Sequence, residues 1–571
     1  MWIINFSEAN CKNCYACVRS CPVHAIEVKA EQARIMKERC IGCGRCLAVC
    51  PKNAKQVKPE LENVKEYVKE PGKVVATVAP TYAGVFGENA GKLSTALKML
   101  GFDGVEETVV GAELVTKEYE AYASKEDEAC YITSCCSSVV YLIEKHYPKL
   151  IPNLIPVVSP VVCHSRMLKK IYGETSKVVF IGPCLSKKIE GHEEESMDAV
   201  LTFDELEKWF IEEHIELGDL PESAFDQTNS RQSFYPLVGG ATHTVKREEL
   251  KKQIIQVDGM EECKEVLKAI EKGTFKNIVF EMNCCRHSCV GGPGLLEDGR
   301  SVYERKEWIK QYGAKQQMLD NGRKKKERVV PTGLDITRSF VSLYAPLKKP
   351  KEGQIREILA SIGKYAENDE LNCGGCGYPT CREKAIAVFN GMAEPNMCLP
   401  FMRQKAETLS HVIFDATPNL IIIVNKEMEV MDLNPSAVKF FKTTRDSMMK
   451  MPIEILLDAE IFQQVKETKR NVLGQKAIIK NTPSTVIQSV VWIEYHQMML
   501  WIAYDISRDE KLEKRLQNMK IDAINMAQQV INKQMTVAQE IASLLGETTA
   551  ETKVTLTQLK HLIQTEEDVK L

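Results

Sequence analysis

The sequence has little that would tie it to a membrane or to nucleic acid. No apolar run approaches the roughly 18 residues of a membrane span. The opening stretch MWIINFSEAN lacks the basic start and long apolar core of a secretory signal. Neither sign of charge dominates, since 75 basic residues face 78 acidic ones for a formal charge of −3, so no overall field favours a polyanion. A soluble, cytoplasmic chain is expected, with no nucleic-acid or membrane partner.

What the sequence does have is length and cysteine. Its 571 residues, 44% hydrophobic, can bury several cores, and about three or four domains are expected. A reducing compartment does not keep ordinary disulfides, so the 21 cysteines point to metal binding or redox chemistry.

The first fifty residues carry Cys11, Cys14, Cys17 and Cys21-Pro22, then Cys40, Cys43, Cys46 and Cys50-Pro51. This is C-x2-C-x2-C-x3-C-P twice. Two-residue spacing aims three thiolates at one cubane, while the fourth sits on a helix that reaches the other cluster. Cys11, Cys14, Cys17 and Cys50 are expected to hold one 4Fe-4S cluster, and Cys40, Cys43, Cys46 and Cys21 the other. Zinc is the alternative for any four-cysteine set, but it seldom needs a crossed fourth ligand twice over. Residues 1–60 resemble bacterial two-cluster ferredoxins, which implies an electron relay.

From about residue 72, the runs KVVATVAP, EACYITSCC, SKVVFIGPC and KNIVFEMNCC read as short buried strands, three of them ending in cysteine loops. Open α/β folds place their chemistry at strand carboxyl ends. The loops are TSCCSSV with Cys135 and Cys136, GPCLSKKIE with Cys184, Lys187 and Glu190, and Cys285-x3-Cys289 before GGPG. Singly, each cysteine reads as well as a small core residue. Together, four thiolates can close around one cubane.

These three loops resemble the signature motifs of iron-only (FeFe) hydrogenases, over roughly residues 72–345. The resemblance implies that Cys136, Cys184, Cys285 and Cys289 hold the 4Fe-4S half of an H-cluster. It implies that Cys289 also bridges to a two-iron half carrying CO, cyanide and dithiolate ligands, and that Cys135 is the proton donor. Lys187 would give one cyanide a charge-assisted hydrogen bond, and Ala79-Pro80-Thr81 would contact the other. The competing reading makes Lys187 a surface lysine with Glu190 as its solvated partner.

The departures from the family pattern are as informative. Ser137-Ser138-Val139 follows the cysteine pair where the family has Pro-Gly-Trp, and Gly182 stands where it has methionine. Asn283-Cys284 precedes Cys285 in place of Met-Ala, and 159-SPVV-162 replaces Ser-Pro-Gln-Gln. Glu113 matches the inner acid of the family's proton wire, but Val110 occupies the outer acid's place and Ile155 the serine's. Neither carries a proton, so slow turnover is expected. Such losses recur in the family branch regarded as sensory.

A lysine- and proline-rich linker and one amphipathic helix lead to Cys373-x2-Cys376-x4-Cys381 and, further on, Cys398. This set resembles the small 4Fe-4S domain of electron-transport and corrinoid iron-sulfur proteins, with zinc as the alternative. Cys130, Cys163 and Cys263 are expected to be packing residues, and Cys284 to tune a cluster.

Residues 404–508 resemble a PAS domain: two strands around Asn425-Lys426, Asn434-Pro-Ser-Ala opening a helix, and two long closing strands. Its inner face fits a plain core or a ligand pocket, and with only His411 and His496 available haem is not expected. Beyond residue 508, Leu512, Leu516, Met519, Ala523, Met526, Val530, Val537, Ile541 and Leu544 follow a 3/4 spacing. They mark either a dimeric signalling coiled coil or a face packed on the preceding domain. Gly546 is expected to end this helix, and Leu556, Leu559, Leu562 and Ile563 to stripe a short second one.

The expectation is a multidomain α/β and α+β chain: ferredoxin-like domain 1–60, hydrogenase large-subunit-like domain 72–345, small 4Fe-4S domain 350–402, PAS domain 404–508, and coiled-coil helix and tail 509–571. Its cofactors would be three accessory 4Fe-4S clusters and an H-cluster. Its partners would be H2 and protons, a ferredoxin-type electron carrier, a downstream signalling protein and a second copy of the chain. Sensing of H2 or redox state is the leading reading. A ferredoxin-linked catalytic hydrogenase and a non-catalytic iron-sulfur adaptor are the alternatives.

Overall fold

The computed structural model describes residues 3–6, 10–245, 250–321, 330–479, 482, 484–545 and 554–560. The chain divides into two compact units, Met1–Met402 and Arg403–Leu571. Among the described residues no helix is long and apolar enough to cross a membrane.

The first unit opens with two antiparallel pairs. Strand β1 (Ile4–Phe6) pairs with β4 (Lys55–Val57), and β2 (Ile26–Lys29) with β3 (Gln32–Ile35). The β2–β3 hairpin turns through Ala30 and Glu31, both at positive φ, as a two-residue turn matched to strand twist requires. The two cysteine loops repeat one backbone path. Asn13 and Tyr15 flank Cys14 at φ 51° and 55°, and Gly42 and Gly44 flank Cys43 at 69° and 71°.

The next strands are β5 (Val74–Val78), β6 (Gly104–Glu107), β7 (Tyr131–Ile132), β8 (Lys177–Ile181), β9 (Ala199–Leu201), β10 (Gln253–Asp258) and β11 (Ile278–Asn283). All four runs expected as strands are present, but they lie in two sheets. One is parallel, in the order β6-β5-β8-β9, and the other parallel, in the order β10-β11-β7. Every residue of β5 is buried, as a strand covered on both faces requires. Its polar member Thr77 bonds Thr108 Oγ1 at 2.9 Å and His164 Nδ1 at 2.8 Å, so its burial leaves no hydroxyl unpaired.

Each sheet has its own core. The first is built around Val78, Phe180, Val200 and Trp209. The second, around Ile132, Leu142, Phe280 and Met282, is continuous with Val18, Ile26 and Ile41 of the first sixty residues and with Tyr378 and Met397 further on. Cys135 lies in the first core, and Cys136 packs against both. The cysteine loops therefore meet at the seam between two sheets.

The second unit carries β12 (Leu420–Asn425), β13 (Val430–Leu433), β14 (Val472–Ile478), β15 (Thr485–Ile493) and β16 (Met498–Asp505), an antiparallel sheet in the order β13-β12-β16-β15-β14. Strand β14 was not visible in the sequence pattern. Asn434 is the reason a helix starts at Pro435: its side chain accepts from Ala437 N at 3.0 Å and donates to Asn419 O at 2.8 Å. The inner face is filled by Ile422, Val424, Phe462, Val490 and Trp501, with Trp501 Nε1 bonded to Gln488 at 2.9 Å.

A 39-residue helix, Ser507–Leu545, follows. Leu512, Leu516, Met519, Met526, Val530, Val537 and Ile541 are all exposed on it, so its apolar stripe is not packed on the preceding sheet. Gly546, Leu562 and Ile563 lie outside the described residues, as does the side chain of Leu544.

Candidate metal centres

Cys11, Cys14, Cys17 and Cys50 line one cavity, with Tyr15, Ala33 and Lys55. Cys50, distant in sequence, thus lies at the same cavity as the first three. On the other side, Cys21 feels the charges of Cys40 and Cys43, and Cys46 feels Cys43, Cys40 and Cys21. Burial pushes the Cys21 thiol up to about 12, against hydrogen bonds from Ala25 N and Val23 N. Buried Lys55 acts on Cys17, Cys46 and Cys50, a single cation shared between the two sets.

The second loop of this region is pressed into the next domain. A Cβ on Gly42 would stand 2.7 Å from Ile189 Cδ1 and 3.0 Å from Ser186 Cα, and one on Gly44 2.7 Å from Pro293 Cγ. The first loop uses Asn13 and Tyr15 at the matching positions. Glycine is required only where this close approach occurs. Lys145 Nζ ties the junction by donating to Cys40 O at 2.7 Å.

The three separate loops do converge. Cys136 feels the charges of Cys184 and Cys285, Cys184 that of Cys285, and Cys289 those of both. Burial raises the Cys136, Cys184 and Cys289 thiols, so only a positively charged partner would hold them as thiolates. Cys136 directly precedes helix Ser137–His146. Between Cys285 and Cys289, His287 and Ser288 both take left-handed φ, 68° and 57°, a strained path of order 1–3 kcal/mol per residue. It is held by His287 N donating to Asp258 at 2.7 Å and Ser288 N to Cys285 O at 3.1 Å.

Lys187 and Glu190 are not a solvated surface pair. Glu190 is 1% exposed and accepts from Lys187 Nζ at 2.5 Å, Ser137 Oγ at 2.9 Å, Ser159 Oγ at 2.9 Å and Arg338 Nη1 at 2.9 Å. Burial alone would raise its carboxyl, but Lys187 and Arg338 overcome that and hold it below the usual range. Lys187 in turn acts on Cys135, Cys184 and Cys289, placing its ammonium beside the converging sulfurs. Ser137, which reads in sequence as a loss, is a member of this network. Gly182 also has a local reason, since a Cβ there would lie 2.5 Å from Phe180 Cζ.

The Thr81 hydroxyl, 1% exposed, has no hydrogen-bond partner among the described residues. Ala79, two residues before it, is anchored through its N–H to Ile181 O at 2.8 Å, with Pro80 between them. Cys135 is buried beside Thr133 Oγ1 at 3.6 Å, and burial, then Glu281, push its thiol up to about 11. Glu281, unnoticed in the sequence, is 1% exposed and accepts from Thr242 Oγ1 at 2.6 Å and Thr242 N at 3.0 Å. Glu113 is placed differently, accepting from Asn229 Nδ2 at 2.8 Å and paired with Lys117 at 3.5 Å. Val110 and Ile155 are buried in the first core.

Cys373, Cys376, Cys381 and Cys398 line a further cavity with Tyr378 and Lys384. Lys384 is buried, donates to Pro395 O at 2.7 Å and feels Cys398, Cys376 and Cys381. Cys130, Cys163 and Cys263 are buried in the cores. Among the described residues, no three His, Cys, Asp or Glu side chains form a group that could hold a single metal ion.

Residues 72–293 match the family described as iron only hydrogenase large subunit, C-terminal domain, and residues 10–63 match the 4Fe-4S dicluster domain. The chain carries an iron-only hydrogenase large-subunit-like domain behind a 4Fe-4S ferredoxin domain. Residues 369–400 match an Fe-S cluster family. The chain is similar to Iron hydrogenase 1 of Clostridium pasteurianum, 30% identical over 32% of this chain and 37% of that one. The NADP-reducing hydrogenase subunit HndD of Solidesulfovibrio fructosivorans is 26% identical over 51% of this chain and 57% of its own length. The cytosolic Fe-S cluster assembly factor NAR1 of Yarrowia lipolytica is 30% identical over 23% and 30%. The chain thus spans at most 57% of the length of these relatives.

Among solved structures, FeFe-hydrogenase HydA1 from Chlamydomonas reinhardtii, variant E144A, is 18% identical, with a TM-score of 0.38 over 50% of this chain and all of that one. The PAS domain of nitrogen regulation protein NR(II) from Vibrio parahaemolyticus is 14% identical, with a TM-score of 0.16 over 17% of this chain and 98% of that one.

Proposed function

We propose that the hydrogenase-like domain holds an H-cluster and that the chain uses it to sense H2 or redox state, with slow turnover. The observation that carries this reading is the convergence of four sulfurs from three loops beside a buried lysine and an unpartnered threonine hydroxyl. Cys136, Cys184, Cys285 and Cys289 would hold the 4Fe-4S half, and Cys289 the two-iron half as well. When bound, the group supplies the interconversion of H2 with two protons and two electrons. Lys187 and Thr81 would donate to its cyanides, and the Glu190 network fixes Lys187 in position. Cys135 would hold and pass the proton, with Thr133 as its hydroxyl neighbour.

The chain's own residues also support an electron relay. Tyr378 stacks on His24 with ring centroids 5.9 Å apart and feels both Cys376 and Cys21. It would thus bridge the third cluster and the ferredoxin domain. Cys398 directly precedes helix Leu399–Ala416, so the fourth ligand of that cluster is one bond from the helix leading toward the PAS-like sheet. Output would pass through this sheet and the long helix to a partner.

Slow turnover follows from Val110 and Ile155, whose apolar side chains sit where proton carriers would be needed. In matured protein, Val110→Glu combined with Ile155→Ser should raise steady-state H2 production at least tenfold. A parent chain already as fast as the double variant would remove the sensing reading in favour of a working hydrogenase. The similarity to an Fe-S assembly factor favours a second reading, a non-catalytic adaptor that holds cubanes only.

A further inference from the structure

Cys284 has no role in the site as described so far, yet its thiol is paired with sulfurs of two different four-cysteine sets. It is 5% exposed. Its backbone N–H points at Cys136 Sγ, 3.5 Å away. Its thiol is within hydrogen-bonding reach of both Cys43, in the ferredoxin domain, and Cys285, its neighbour in the hydrogenase-like domain. This contact is built by packing, because Gly42 and Gly44 let the Cys43 loop come within van der Waals distance of Ser186, Ile189 and Pro293.

A thiol has one proton and can serve one acceptor at a time. A hydrogen bond to a ligand sulfur stabilises the reduced, more negative form of a cluster and so raises its potential. We propose that Cys284 is a shared S–H donor between the cluster on Cys21, Cys40, Cys43 and Cys46 and the cubane on Cys136, Cys184, Cys285 and Cys289. Whichever of the two gains an electron first draws the S–H toward its own sulfur and withdraws it from the other. The second cluster is then harder to reduce. No proton leaves the thiol and no bond is broken, so each cluster takes one electron from an external low-potential reductant. Cys284 is a positioning residue in this role, and the inference rests on the reading that both sets hold cubanes.

The test is a redox titration of the full chain, followed by electron paramagnetic resonance, with all four 4Fe-4S sites loaded and no two-iron unit. Cys284→Ala should lower the midpoint of the first-reduced of the two neighbouring clusters and narrow the gap between the pair. Cys284→Ser, which keeps a donor, should recover part of the shift. The clusters on Cys11, Cys14, Cys17, Cys50 and on Cys373, Cys376, Cys381, Cys398 should titrate unchanged. Unaltered midpoints in Cys284→Ala, or an equal shift in all four clusters, would overturn the proposal. A parent chain that binds fewer than four cubanes by iron content and signal count would instead overturn the underlying cluster reading.

Discussion

Arg338 donates to Glu190 Oε1 at 2.9 Å across 148 residues of sequence, while Lys187 holds the other oxygen of the same carboxylate at 2.5 Å. This buried ion triad ties the segment after the hydrogenase-like fold to the loop that carries Cys184. Removing one member of a buried charge set leaves its partners desolvated and unpaired, at a cost of about 3–5 kcal/mol. Glu190→Gln should therefore lower the unfolding free energy, read from denaturant titration, by an amount in that range. A loss below about 1 kcal/mol, the value of an exposed pair, would contradict the burial of the triad.

The crossed ferredoxin ligands make opposite single variants informative. Cys50→Ser should lose the cubane of Cys11, Cys14 and Cys17 and leave that of Cys40, Cys43 and Cys46, whereas Cys21→Ser should do the reverse. Iron content and the electron paramagnetic resonance spectrum of the reduced protein read this directly. Loss of the same signal in both variants would contradict the crossing.

His146 predicts an acid weakness at the ferredoxin junction. Its Nε2 lies 2.9 Å from Arg39 O. Burial, with Arg39, Lys145 and Lys264 nearby, lowers its pKa to about 4 despite that carbonyl. The unfolded imidazole has its ordinary value of about 6.5. Below that pH the unfolded chain takes up a proton that the folded chain refuses. Stability from the neutral ring is therefore full above pH 6.5, falls as pH drops toward 4 and levels off below, a loss of at most about 3 kcal/mol. Denaturant midpoints from pH 7 to 4 should fall more steeply for the parent than for His146→Gln. Parallel curves would contradict this.

The exposed stripe on helix Ser507–Leu545 is expected to be covered by a second copy of the chain. Met519→Glu with Met526→Glu puts charges into that seam, which a coiled coil does not tolerate. Sedimentation at micromolar concentration should show a dimer for the parent and a monomer for the variant. A monomeric parent would remove the coiled-coil reading.

The cysteine spacing was legible because a C-x2-C turn is local, and two such turns with a displaced fourth ligand leave few alternatives. The buried strands were legible as apolar runs, but their division between two sheets was not. The runs that lead to Cys184 and to Cys136 look alike in sequence, and only their pairing with β5 or β11 separates them. Glu281 and Arg338 went unseen for a related reason. A glutamate in a buried strand, or an arginine in a segment without regular structure, gains its role from partners that are distant in sequence. Lys187 and Glu190, three residues apart on a helix, read equally as a surface pair until Arg338, Ser137 and Ser159 close over them. Ser137 and Gly182, which look like losses against the family pattern, have local partners or neighbours that the pattern alone does not reveal.

The central claim is that the Cys136, Cys184, Cys285 and Cys289 site holds an H-cluster. Infrared spectra of the protein, co-expressed with maturation factors and recorded under argon and under H2, test it most directly. Bands of CO and cyanide that shift between the two gases are expected. Spectra without those bands, from protein whose 4Fe-4S content is complete, would contradict it.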